Sequence, residues 1–161
     1  MSDDYTPKRQ RTQIVTAVAA RVDALFNSAE GTSAKWLRKV ERGPLRPMSS
    51  MYPAAIVRDG GQRRLPGRED EESTNRVLSI DLVLYLAGSW EDVNTDEEIT
   101  DLVDLLIWEM EGYCPPHGVM RMDYVSDDRP DVLWMSGGSN ALWSLRFEAQ
   151  YFAERQVRSN R

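Results

Sequence analysis

The run Val77-Leu78-Ser79-Ile80-Asp81-Leu82-Val83-Leu84-Tyr85-Leu86 decides the fold class. In an extended chain Leu78, Ile80, Leu82, Leu84 and Leu86 share one face, and Val77, Ser79, Asp81, Val83 and Tyr85 share the other. The period is two from end to end, so the segment is predicted as a strand whose fully apolar face needs a covering layer. The stretch from Ala141 to Phe152 repeats the pattern. Ala141, Trp143, Leu145, Phe147, Ala149 and Tyr151 alternate with Leu142, Ser144, Arg146, Glu148, Gln150 and Phe152.

Two helices are available as the layer. An early helix, with Pro7 near its start, places Ile14, Val18, Val22 and Leu25 on one stripe, with Val15, Ala17, Arg21 and Phe26 between them. It should stop between Asn27 and Gly31, where Gly31 can supply a left-handed cap. The second helix opens at Thr95-Asp96-Glu97-Glu98, a capping box in which Thr95 and Glu98 satisfy each other's end of the first turn. Its core face is Ile99, Leu102, Val103, Leu106 and Met110, widened by Leu105 and Ile107, and Gly112 with Pro115-Pro116 ends it.

The shorter strands are weaker signals. Ala34 to Arg42 alternates and is predicted as an edge strand; Ala54 to Val57 is a short strand ended by Asp59-Gly60-Gly61. Val119 to Val125 and Val132 to Met135 follow, the latter closed by a Gly137-Gly138 turn. Residues 58–76 hold one large apolar side chain, Leu65, and are predicted as a long mobile loop. The resulting class is α+β: a mostly antiparallel sheet with two main helices packed on one face.

A chain of 161 residues, 41% hydrophobic and 29% charged, is enough for one globular domain over 1–161, with 1–6 and 153–161 as flexible ends. Twenty basic against 26 acidic residues leave a net charge of −6, which excludes a surface devoted to gripping duplex phosphate. One cysteine and one histidine exclude an internal disulfide and a conventional zinc site, and no cofactor motif is present. Met1 to Gln13 has no apolar segment of a targeting peptide, and no window is long enough to span a membrane.

Candidate chemistry is sparse. Cys114 and His117 sit in a helix-to-strand loop without a nucleophile signature, and the preferred reading is ordinary loop residues. Asp123, Asp127, Asp128 and Asp131 gather near a predicted turn from Val125 to Pro130 but lack calcium-loop spacing, so they are expected to be solvated turn residues. The Gly60-Gly61 pair is read as a turn, since no phosphate-loop residues follow it. Trp108 lies off the second helix's apolar stripe and Trp90 sits in a polar loop, which makes either one an interface anchor or a locally packed side chain. Arg63, Arg64 and Arg68, beside the acidic run Glu69 to Glu72, are read as a loop that orders against a partner. With Trp90 they form the expected contact set.

The layout as a whole resembles the tail terminator, or tail-to-head joining, proteins of long-tailed bacteriophages. The resemblance covers about residues 7–152. It rests on the opening helix Arg11 to Phe26, on Val40-Glu41-Arg42-Gly43-Pro44-Leu45 leading to Tyr52-Pro53-Ala54-Ala55-Ile56-Val57, on the polar loop before Arg76 to Leu86, on the capped helix from Thr95, and on the closing strand Ala141 to Tyr151. It implies a structural virion protein without catalytic residues or cofactor. Six copies would form a ring on the end of the tail tube, stop its polymerisation and join it to the head-completion or neck proteins. DNA would pass through the ring without specific binding, and the protein would reside in the virion after assembly in the host cytoplasm.

The alternatives are another neck, connector or tail-completion protein, or a non-catalytic monomeric adaptor. An enzyme built on His117, Cys114 and Asp123 is a third class, disfavoured by the lack of a motif.

Overall fold

The computed structural model describes residues 9–28, 35–45, 53–65, 73–86, 96–130 and 141–154. Among them are two helices, α1 (Gln10–Phe26) and α2 (Asp96–Met110), and strands β1 (Lys39–Arg42), β2 (Ala54–Arg64), β3 (Ser73–Leu86), β4 (Val119–Asp128) and β5 (Ala141–Glu154). The strands form one sheet in the order β1-β2-β3-β5-β4. Only the β1 and β2 pair is parallel; the other three pairings are antiparallel. The class is therefore α+β with a mixed, mostly antiparallel sheet.

The two strongest alternating runs, β3 and β5, lie side by side at the sheet's centre. Their register sets Leu78 opposite Ala149, Ile80 opposite Phe147, Leu82 opposite Leu145 and Leu84 opposite Trp143. Each apolar face thus meets another apolar face across the ladder, which is the unit of sheet stabilisation. These residues share one buried cluster with Ile14, Val15, Val18 and Val22 of α1 and with Ile99, Val103, Leu106 and Met110 of α2. On the opposite side of the sheet Ala54, Ile56, Val83 and Tyr85 form a second, smaller buried cluster.

Several expectations need correction. The predicted loop over 58–76 is largely strand, since β2 runs on to Arg64 and β3 begins at Ser73; residues 66–72 lie outside the described residues. The polar side chains of Arg58, Asp59, Gln62, Arg63 and Arg64 hide this strand from a hydrophobicity reading. Their backbones nevertheless pair with Asp81, Ile80, Leu78, Val77 and Arg76 in turn. Nor does the Gly60-Gly61 pair form a turn: it makes a bulge where the register shifts between Asp59 and Gln62, and Gly61 supplies the φ of 103° that an L side chain avoids.

The expected strand from Ala34 shrinks to Lys39–Arg42, still at the sheet edge. Trp36 and Leu37 are consecutive and both buried, which strict alternation does not allow. They belong to a crossing segment tied to the end of α1, where Leu37 N–H donates to Phe26 O at 2.9 Å and Ser28 N–H donates to Leu37 O at 2.7 Å. That pairing also ends the helix, because Asn27 turns extended at φ −85° and ψ 125°. The expected left-handed cap at Gly31, the helix start at Pro7, the strand from Val132 to Met135 and the Gly137-Gly138 turn lie outside the described residues.

Leu105 does not widen the core stripe of α2: it is 44% exposed. At 100° per residue it stands roughly 130° from the centre of the buried set Ile99, Val103, Leu106 and Met110. The last strand continues past Phe152 to Glu154, so the tail outside the described residues begins at Arg155. β4 runs three residues past the expected Val125, which places Asp127 and Asp128 in a strand, not a turn.

Candidate functional site

Alternation along β3 sends Asp81 to the face opposite the main core, and the sheet register sets Arg58 on one side of it and Arg146 on the other. Asp81 is the buried charged residue among the described residues, 5% exposed. Arg146 grips it with two parallel bonds, Nε to Oδ1 at 2.8 Å and Nη2 to Oδ2 at 3.1 Å. Arg58 reaches Oδ2 from the other side, with Nε at 3.3 Å and Nη2 at 3.2 Å. One carboxylate therefore ties three strands together through side chains, as a fork-shaped guanidinium pairing allows. The hydrogen bonds that Asp81 accepts from Arg146, followed by the charge of its carboxylate, keep the Arg146 guanidinium above its ordinary pKa, against the opposing effect of burial.

Gly60 is part of this arrangement. A Cβ at that position would stand 2.8 Å from Asp81 Oδ2, closer than real Cβ atoms approach, and 3.1 Å from its Cγ, a tight contact. The bulge thus brings bare backbone against the carboxylate. An open cavity of about 270 Å³ lies over the triad, lined also by Ser126, Asp128 and Ser144. Its charges are mixed, two arginines against Asp81, Asp127 and Asp128. That balance suits a hydrated contact surface and does not make an anion cradle.

On the other side of the bulge Asp59 faces the start of α1. Arg11 pairs with it in a fork, Nε to Oδ2 and Nη2 to Oδ1, the second at 2.7 Å, and Gly61 N–H donates to Oδ1 at 2.8 Å. Burial pushes the Asp59 carboxyl up, but the Arg11 and Gly61 hydrogen bonds and the charges of Arg11 and Arg42 hold it below its ordinary value. At the β4 edge Asp127 accepts from the Tyr124 hydroxyl and, at 2.8 Å, from Trp143 Nε1. Burial, followed by the hydrogen bond and charge of Asp127, pushes the Tyr124 hydroxyl up to about 12.

The predicted contact residues are only partly placed. Arg63 stands on the outward face of β2, 58% exposed at its side chain, with Nη2 3.7 Å from Glu148. Arg64 follows it at the end of the same strand, opposite Arg76. Because successive strand residues point to opposite faces, the two arginines do not form one patch. Arg68 and Trp90 lie outside the described residues.

The residues of the enzyme alternative are not linked to one another by any described contact. Asp123 pairs with Arg121 Nε at 2.7 Å, the Cys114 thiol lies 3.6 Å from Met120 O, and the His117 carbonyl accepts from Gln10 Nε2 at 3.0 Å. No group of three metal-ligating side chains occurs among the described residues. No described helix is long and apolar enough to cross a membrane.

Trp108 is the most exposed large apolar side chain among the described residues, at 77%. It stands nearly opposite the buried stripe of α2 at 100° per residue. α2 carries six acidic residues, Asp96, Glu97, Glu98, Asp101, Asp104 and Glu109, and no basic one. The sequence signalled Trp108 by its helical phase. The Arg58–Asp81–Arg146 triad had no comparable signal, because it depends on which strands become neighbours.

No family model matches the chain, and no curated protein matches it. One solved structure is similar over 89% of this chain and 95% of its own, with 13% identity and a TM-score of 0.39.

Proposed function

We propose that this protein is a structural component of a phage virion, a tail terminator that closes into a ring of about six copies on the end of the tail tube. In this reading both helices pack on the same face of the sheet, leaving the Arg58–Asp81–Arg146 face and the outward side of α2 for contacts between copies and with tube and neck proteins. The mechanism is geometric and needs no catalytic group or cofactor. A heterologous contact repeated about a rotation axis closes a ring. One side of the ring matches the tube end, and the other lacks the surface that would accept another tube ring. The acidic balance would let DNA pass without sticking.

The observation that carries the reading is the exposure of Trp108 on a helix whose charged residues are all acidic, an aromatic anchor without a covering layer among the described residues. Exposed aromatics of this kind are enriched at the centres of protein interfaces. The resemblance in element order and in the segments around Arg42 and Ala54 names the kind of assembly. Light scattering coupled to size exclusion over a concentration series, with negative-stain imaging, tests it. A ring near six subunits that halts elongation of polymerising tail tubes is expected. A protein that neither closes alone nor stops tube growth would refute the terminator role and leave the adaptor.

A further inference from the structure

We propose that α2 of one copy docks on the β1 edge of a second copy, with Trp108 seated in the cavity beside Arg42 and Pro44, an inference that rests on the ring reading and names its repeating contact. The outward stripe of α2 is built like the centre of an interface. At about 100° per residue Glu97, Asp101, Asp104, Leu105 and Trp108 fall within about 100° of arc, centred opposite the helix's buried stripe. All five are exposed, Leu105 at 44% and Trp108 at 77%. Two large apolar side chains on one face are thus flanked by carboxylates, an aromatic anchor with a charged rim.

The far edge of the sheet offers the complement. Arg42, Gly43, Pro44, Arg58 and Asp59 line an open cavity of about 310 Å³. Arg42 and Pro44 are exposed, and so are Arg38 just ahead of β1 and Leu45 just beyond Pro44. β1's own acid, Glu41, lies 3.0 Å from Lys39 Nζ and is neutralised there. The lining supplies what an indole binds: guanidinium groups for its face, a proline ring against its edge and the Asp59 carboxylate as acceptor for its N–H. Around that anchor Arg38 and Arg42 meet Asp101 and Asp104, and Leu45 meets Leu105.

Within one copy the two surfaces do not meet. α2 is fastened to the β4 edge, where Gly112 N–H donates to Met122 O at 3.0 Å, whereas β1 is the opposite edge of the order β1-β2-β3-β5-β4. The strand spacings between the two edges add up to about 19 Å. A patch on one edge that fits a different patch on the other makes a heterologous contact, the kind that repeats head to tail and can close into a ring. The charges also select against like edges meeting, since two acidic helices repel, as do two arginine-flanked edges.

The test uses two full-length variants that each keep one half of the contact. Trp108→Arg removes the anchor and sets a cation against Arg42; Pro44→Arg crowds the cavity with another cation. Their mixture can form a single contact, α2 of the Pro44→Arg protein on the intact β1 edge of the Trp108→Arg protein. Sedimentation velocity should show that neither variant associates alone and that the mixture gives a one-to-one dimer that does not grow. The dimer should weaken about tenfold or more on adding Asp104→Arg to the first protein or Arg42→Glu to the second, and recover when both are present. All four positions are exposed, and unchanged circular dichroism would show that the fold persists. No dimer up to about 100 μM of each variant, or a dimer indifferent to both charge changes, overturns the proposal. The ring reading is scored on the unaltered protein. A ring whose mass survives Trp108→Arg sinks this contact and leaves the ring standing; a dimer of the two variants, with no ring and no arrest of tail tubes by the unaltered protein, upholds the contact and refutes the terminator role.

Discussion

Replacing Gly60 by alanine tests the geometry of the Asp81 site with a single methyl group. The new Cβ would lie 2.8 Å from Asp81 Oδ2. To relieve it the carboxylate must retreat by about half an ångström, and its bonds to Arg146 and Arg58 at 2.8 to 3.3 Å leave little room. Losing one charge-assisted hydrogen bond costs about 1.5–3 kcal/mol. The lower entropy of an unfolded chain with alanine offsets about 0.4–1 kcal/mol of this. Gly60→Ala should therefore destabilise by about 1–2 kcal/mol in urea unfolding, with an unchanged m-value.

The discriminating measurement is the same substitution in an Asp81→Ala background. There the obstruction is gone, and Gly60→Ala should become neutral or stabilise by up to about 0.5–1 kcal/mol. The double-mutant coupling would then reach about 1.5–3 kcal/mol, the range of residues in direct contact. Equal costs in the two backgrounds, within about 0.5 kcal/mol, would show that the Cβ meets something other than Asp81 and refute the account of the bulge.

Asp59 has a folded pKa below its unfolded value, so its contribution to stability is present above the unfolded pKa and is lost as pH falls through the folded one. Acid unfolding profiles of Asp59→Asn should lack that component, and Arg11→Ala should remove most of it; a profile unchanged in both would contradict the pairing. Tyr124 titrates near 12, so its contribution is full below pH 10 and fades as pH rises toward 12. Absorbance titration of the tyrosines should show its late-ionising component vanish in Tyr124→Phe and move to lower pH in Asp127→Asn. On β5, Leu145→Ala should cost about 2–5 kcal/mol, whereas its neighbour Leu142, 41% exposed, should cost less than about 1 kcal/mol. Comparable losses would mean that Leu142 is covered by a neighbouring surface.

The layers and the core were legible without coordinates wherever one face of an element had to be apolar. β3, β5 and both helices announce themselves by periods of 2 and 3.6, since burial of one side is a property of the local chain. Even Trp108 can be found this way, as the apolar residue out of phase with its own helix. The polar half of β2 is invisible to the same reasoning. Its side chains match neither period, and it is a strand because β3 offers a ladder of backbone donors and acceptors beside it.

The same division holds for the candidate surfaces. Composition by itself set the acidic balance, the scarcity of histidine and cysteine, and the lack of charge compensation along α2. Only tertiary structure could bring Arg58, Asp81 and Arg146 to one point, because they lie 23 and 65 residues apart in the chain. Their meeting depends on the strand order β2-β3-β5 and on a bulge that brings the backbone of Gly60 against a carboxylate. Strand order and register are set by the sum of many pairings across the sheet, and no local stretch of sequence carries that sum.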